Sequence, residues 1–394
     1  MSGSAQRQPD MITDAAGLDA LCRVVDRIGW FAFDTEFVGE DQYSPEVCLI
    51  QVATEGIDAL VDPLVPVDTT PLWERIADER VRVIVHAGGE DIAQCWIRLG
   101  QPPRNIFDIQ IAAGIVGLGY PISLGRLAKT TIGRTIHKAH TLSDWRKRPL
   151  SQEQIRYAVE DVIYLRSIHD HMLERIETLG RGDWIQEECD ALCSHVCTTE
   201  NGSKTLKRLK GAGSLKPREL AVAHALLAVR DEIAAEYNRP ARALLRDHLL
   251  VEIARRGWTD AKRILSLRGI QLRAVSARRL AEVVEEAKKL PPESWPKLST
   301  QEDSPQEEVL LSFFSAVLRE YCNQNHLSYS LLCKKQNLRD LLRHHTRPNG
   351  SEIEHVFSNG WRKTAVGDLI SDLLAGKRTV RVRAGGKDPG LTLE

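Results

Sequence analysis

Asp34 and Glu36 stand two residues apart at the end of the apolar run WFAFDTEF, residues 30 to 37. Side chains of an extended strand alternate between faces, so both carboxylates point the same way. Adjacent carboxylates repel unless a cation lies between them, and oxygen donors of this kind suit Mg²⁺ or Mn²⁺. Alone, a D-x-E pair is better read as the exposed end of a strand. Acids recur, however, at the ends of other predicted elements. Asp91 follows the apolar run VRVIVHA, in HAGGED, where a helix begins. Tyr157 and Asp161 lie four residues apart and so share one helix face. Each has a plainer reading: Asp91 as a helix cap, Asp161 paired with Arg156 or Arg166, Tyr157 in the core. The combination is harder to dismiss, and points to metal or acid–base work.

Other chemistry-bearing residues weigh less. Phe37 and Tyr43 flank the acidic strand end and offer faces on which a terminal base can stack, though packing accounts for them equally. His86 ends the strand before Asp91, where it either touches substrate or is a satisfied strand-end histidine. Cys189, Cys193 and Cys197 repeat every four residues near His195. Ligands at that spacing line one helix face, and buried cysteine behaves as a small hydrophobe, so packing is favoured over zinc.

The elements that must position these residues follow from periodicity and punctuation. Residues 30 to 37, 47 to 54 and 57 to 63 read as strands, the last two separated only by Glu55 and Gly56 and therefore a hairpin. Residues 81 to 87 and 106 to 108 add two more strands, with helices between, and Asp108 is placed to cap the next helix. A mixed sheet flanked by helices is expected. Residues 151 to 180 read as one long helix with Ser151 as N-cap and Gln154 completing a capping box. The polar, basic stretch ending at 216 reads as a linker, residues 217 to 290 as four or five short helices, and residues 291 to 304 as a second linker. Residues 305 to 376 are helical again, and the tail 377 to 394 carries one strand-like run with a frayed end.

Five stretches now fall into a familiar order: FDTEF, HAGGEDI, FDIQIAA, SDWRKRPL and YAVEDVIYL. In them the chain resembles the DEDD superfamily of 3′→5′ exonucleases, in its tyrosine-bearing branch, and within it the ribonuclease D family. Residues 215 to 290 resemble the HRDC (helicase and RNase D C-terminal) domain, and residues 305 to 376 its more degenerate second copy. The resemblance implies an α/β RNase H-like exonuclease domain over 1–205, a linker at 206–216, an HRDC domain at 217–290, a linker at 291–304, a second HRDC-like domain at 305–376 and a tail. It implies Asp34, Glu36, Asp91, Tyr157 and Asp161 as the catalytic set. Two divalent ions, Mg²⁺ or Mn²⁺, would be held by the four carboxylates, with Tyr157 orienting the attacking water. The implied activity is removal of nucleoside 5′-monophosphates from RNA 3′ ends, in tRNA 3′ processing or RNA turnover. A DNA exonuclease and a catalytically silent RNA-binding scaffold are the alternatives.

Charge agrees with a polyanionic partner. The 394 residues carry a net charge of −1, but residues 201 to 300 hold 21 Lys and Arg against 11 Asp and Glu. Such a segment beside an acidic front half is expected to supply the phosphate grip for tRNA precursors or other structured RNA. No apolar run approaches the ~18 residues of a membrane span, and eight cysteines without paired spacing fit a reducing compartment. A cytoplasmic monomer is the expectation.

Overall fold

The computed structural model describes residues 9–39, 41–136, 144–199, 206–296, 303–346, 355–385 and 390–394. Ser143 of SDWRKRPL, the N-terminal eight residues, and the linker residues 200–205 and 297–302 lie outside them. The chain begins with β1 (Asp10–Ile12), α1 (Ala15–Ile28), β2 (Trp30–Val38), β3 (Glu46–Thr54), β4 (Ile57–Val61), α2 (Thr70–Ala77), β5 (Arg82–Val85), α3 (Gly89–Leu99) and β6 (Ile106–Asp108). The six strands form one sheet in the order β1-β4-β3-β2-β5-β6. β4 runs antiparallel to β3, while β1 is parallel to β4, and β5 is parallel to both β2 and β6. The mixed sheet is therefore present. β3 is buried along its whole length after Glu46, as expected of a central strand covered on both faces. Gly56, at φ 75°, makes the two-residue hairpin turn. The short β1, whose three residues give no usable alternation, is an addition to the sequence reading.

There follow α4 (Ile109–Ile115), α5 (Leu124–Ile132), α6 (Gln152–Ile163), α7 (Leu165–Leu179) and α8 (Gly182–Thr199). The capping box at Ser151 and Gln154 forms with both of its hydrogen bonds. The single helix expected over 151 to 180 is broken at Tyr164, whose φ −93° and ψ −12° interrupt the ladder. Apolar periodicity continues across that break, which is why the sequence conceals it. Cys189 and Cys193 are buried and Cys197 half-buried; burial pushes the Cys189 thiol up.

Two compact units emerge, one of residues 1–35, 49–196 and 303–394, the other of 36–48 and 197–302. The second contains α9 (Pro217–Glu236), α10 (Ala241–Leu244), α11 (Asp247–Arg256), α12 (Ala261–Leu265) and α13 (Ala274–Ala287). Leu206, Leu209, Ala212 and Leu215, from the stretch read as a linker, are buried in its core. Arg230 and Asp247 form a buried ion pair at 2.8 Å within it.

The first unit is completed by α14 (Pro305–Gln324), α15 (Tyr329–Leu332), α16 (Lys335–Thr346), α17 (Gly360–Arg362), a π turn at Lys363–Gly367, α18 (Asp368–Leu374), β7 (Val380–Arg383) and β8 (Gly390–Leu393). These residues do not keep a core of their own. Phe314, Leu318, Leu331, Trp361 and Ile370 share one apolar cluster with Phe107, Ile111, Ile115, Ile168 and Cys189. Ser328 N–H donates to Gly114 O at 2.9 Å, and Arg181 donates to Ile115 O at 2.7 Å and His326 O at 2.8 Å. At α17, Trp361 stacks on Trp184 with ring centroids 5.3 Å apart, and Arg362 grips Glu188 with two hydrogen bonds at 2.8 and 3.0 Å. Gly360 has φ 59°, and a Cβ there would strike Glu187, whose carboxylate accepts Trp361 N–H at 2.8 Å. The tail also differs from expectation. Its end pairs as an antiparallel hairpin of β7 and β8, with Leu391 and Leu393 packed against the core. No described helix is long and apolar enough to cross a membrane.

Candidate active site

β2 delivers Asp34 and Glu36, both half-buried, on one face, and the intervening Thr35 is buried. The last registered pair between β2 and β5 is Ala32 with Ile84, so β2 continues past the ladder. There Asp91 takes over as its partner: Oδ1 accepts the Thr35 backbone N–H at 3.1 Å and also the Thr35 hydroxyl. Asp91 lies in the first turn of α3, close to the positive end of the helix dipole. Burial nevertheless pushes its carboxyl up to about 6, against the Thr35 hydrogen bonds, and the Glu90 charge adds to the rise.

α6 brings Tyr157 and Asp161 to the same region on one face. Burial raises Asp161 to about 7, the charges of Glu160 and Asp91 reinforce the rise, and a hydrogen bond from Tyr157 opposes it. Asp161 thus feels the charge of Asp91, 70 positions earlier in the sequence. Among the described residues no three histidine, cysteine or carboxylate side chains are gathered closely enough to hold a metal ion between them. Asp91 and Asp161 are oxygen donors whose charged forms burial disfavours, a cost that a hard divalent cation beside them would lower.

The turn between β5 and α3 is built from beneath by Asp108. Its Oδ1 accepts N–H groups of Ala87 at 3.1 Å and Gln110 at 2.8 Å, and its Oδ2 accepts Gly88 N–H at 3.2 Å. Ala87 is left-handed at φ 55°, and a Cβ on Gly88 would lie 2.6 Å from Val85, so HAGG turns as tightly as its residues allow. Burial pushes Asp108 up, while these N–H groups and His86 oppose it. The expected helix cap is therefore also the support of the turn that presents Asp91. Thr35 is the other functional residue that the sequence left unassigned; its only signal was its place inside FDTEF.

His86 donates from Nε2 to Ile122 O at 2.9 Å, which Gln110 also reaches at 3.0 Å, and burial lowers its pKa against the pull of Asp108. That hydrogen bond satisfies Nε2. Phe37 is half-buried. Tyr43 is exposed, and its backbone N–H donates to Asn238 Oδ1 at 3.3 Å.

The 3′-5′ exonuclease family matches residues 9–177 and the HRDC domain residues 219–286. Ribonuclease D of Gluconacetobacter diazotrophicus is 31% identical over 379 residues, covering 95% of each chain. Its counterpart in Granulibacter bethesdensis is 31% identical over 365 residues, 91% of each. The crystal structure of Escherichia coli RNase D, described as an exoribonuclease involved in structured RNA processing, superposes with a TM-score of 0.80 at 26% identity. It covers 94% of this chain and 99% of that one.

Proposed function

The chain belongs to the ribonuclease D family and is a 3′→5′ exoribonuclease; on that premise we propose that Asp34, Glu36, Asp91 and Asp161 hold two divalent cations, Mg²⁺ or Mn²⁺, at which RNA is hydrolysed. The observation that carries the reading is the tension between Asp91 and Asp161, each raised well above the ordinary carboxylate range. Bound cations supply the charge that stabilises the attacking and leaving oxygens of an in-line phosphoryl displacement. Asp91 is held for that role by Thr35 and by the turn on Asp108, and Asp161 by the hydroxyl of Tyr157. A phenol titrates near pH ~10 and is a poor base at neutrality, so Tyr157 orients the attacking water and does not deprotonate it. With O3′ of the preceding nucleotide as leaving group, each turn releases a nucleoside 5′-monophosphate. The substrates proposed are tRNA precursors or other structured RNA with free 3′ ends, gripped by the basic residues between 201 and 300.

The test is incubation of the full chain with 5′-labelled single-stranded RNA, and DNA of the same sequence in parallel, with Mg²⁺, with Mn²⁺ and with chelator. Metal-dependent shortening from the 3′ end, with nucleoside 5′-monophosphates on chromatography, is expected. Cyclic phosphates, internal cuts, or equal rates in chelator would overturn the mechanism, and preference for DNA would overturn the substrate.

A further inference from the structure

SDWRKRPL supplies none of the four carboxylates and not Tyr157, and its described residues 144–150 are tied to the sheet through Arg148. Asp62, just past β4, is buried at 4% exposure. Arg148 meets it with a two-pronged grip, Nε to Oδ2 at 2.5 Å and Nη2 to Oδ1 at 2.7 Å. Leu64 N–H adds a third contact to Asp62 at 3.0 Å. Burial by itself pushes Asp62 up, and the hydrogen bonds from Arg148 and Leu64 outweigh it, leaving the carboxyl below its ordinary value. The remaining nitrogen of the guanidinium faces the other way. Nη1 donates to Trp145 O at 2.7 Å and Lys147 O at 3.1 Å.

One guanidinium therefore fastens the backbone at Trp145 to the end of β4. Asp144 closes the same turn, accepting Arg146 N–H on Oδ1 at 3.1 Å, and its carbonyl accepts Gln154 Nε2 at 3.5 Å from the first turn of α6. Trp145 is 3% exposed, and its ring lies against that of Tyr157, with centroids 6.1 Å apart and planes tilted by 41°. We propose that Arg148, anchored on Asp62, is a positioning residue for Tyr157, acting through the Trp145 ring that forms one wall of the tyrosine's site.

With Asp62 buried and Arg148 half-buried, desolvation offsets much of the attraction, so the pair is a poor device for stability alone. A planar fork that satisfies a carboxylate and two carbonyls at once fixes geometry, which lysine cannot reproduce. The inference rests on the proposed role of Tyr157, whose hydroxyl must keep its contact with Asp161. It adds that the ring carrying that hydroxyl is held from a strand end on the far side of the turn.

The test is a double-mutant cycle in the full chain at saturating Mg²⁺. Arg148→Lys is expected to lower kcat by up to about 100-fold, the scale of a misplaced reacting group, with Mg²⁺ binding measured by calorimetry unchanged. In a Tyr157→Phe chain the same substitution is expected to cost little further, because the group it positions is already gone. Trp145→Leu, which leaves the ion pair intact, should show the same non-additivity and carries the test if Arg148→Lys does not fold. Equal losses in the presence and absence of the Tyr157 hydroxyl, or full kcat in both single variants, would overturn the inference. Full activity of Tyr157→Phe alone would instead overturn the role of the tyrosine itself.

Discussion

Asp161→Asn is expected to stabilise the metal-free protein while abolishing its activity. The Asp161 carboxyl is raised from 3.8 to about 7, and each pKa unit corresponds to ~1.4 kcal/mol. At pH 8 the folded chain therefore carries roughly 4 kcal/mol of strain from that ionised group which the unfolded chain does not. A group raised on folding contributes its stability fully below pH ~4 and loses it as pH climbs through the folded value. Asp91, raised to about 6, works in the same direction over a lower window. In chelator, the wild-type melting temperature should fall between pH 5 and pH 8. At ~1–2 °C per kcal/mol for a chain of this length, the drop is about 4–8 °C. Asparagine still accepts from the Tyr157 hydroxyl and carries no charge, so the variant should lose much of that slope and melt above wild type at pH 8. Saturating Mg²⁺ should restore the wild type, by mass action on the folded state, and leave the variant unmoved. Thermal melts at both pH values, with chelator and with Mg²⁺, read this directly. A variant that keeps the full wild-type slope in chelator would refute the electrostatic account of the site.

Asp34→Asn should lower turnover by more than ~100-fold, the scale of losing one preorganised charge contact, with RNA retention in a filter assay largely intact; near-normal turnover with Mg²⁺ would remove Asp34 from the site. Arg239, Arg246 and Arg263 are exposed, and replacing all three with Gln should flatten the slope of log affinity for structured RNA against log salt by up to ~3, as measured by titration; an unchanged slope would move the phosphate grip elsewhere. Trp361→Ala should cost ~3–5 kcal/mol and lower the melting of the nuclease core itself, visible as loss of activity on a short single strand at elevated temperature. A nuclease that melts as wild type would contradict the shared core.

Much of this was legible because local rules decided it. Alternation placed Asp34 and Glu36 on one face, and the i, i+4 spacing placed Tyr157 and Asp161 on another. The capping box at Ser151 and the hairpin at Glu55 and Gly56 were readable from residue type alone. What stayed hidden was which surfaces meet. The apolar faces of residues 305 to 376 announce helices, but periodicity does not tell whether Phe314 and Trp361 pack on each other or on Ile115 and Cys189. The stretch 206–216 looked like a linker because glycine and lysine dominate it, while Leu206, Leu209 and Leu215 were already spaced to bury. Asp108 gave only the signal of a helix cap, since its second duty, to Ala87 and Gly88, runs across two strands.

The shared core also orders events in time. Ile111, Ile115 and Cys189 are among the earlier residues to be synthesised, yet the side chains that cover them arrive with Phe314, Leu331 and Trp361. Contacts so distant in sequence form late and slowly. A chain still emerging from the ribosome has all five residues proposed for catalysis before it has the helices that pack on α4 and α8.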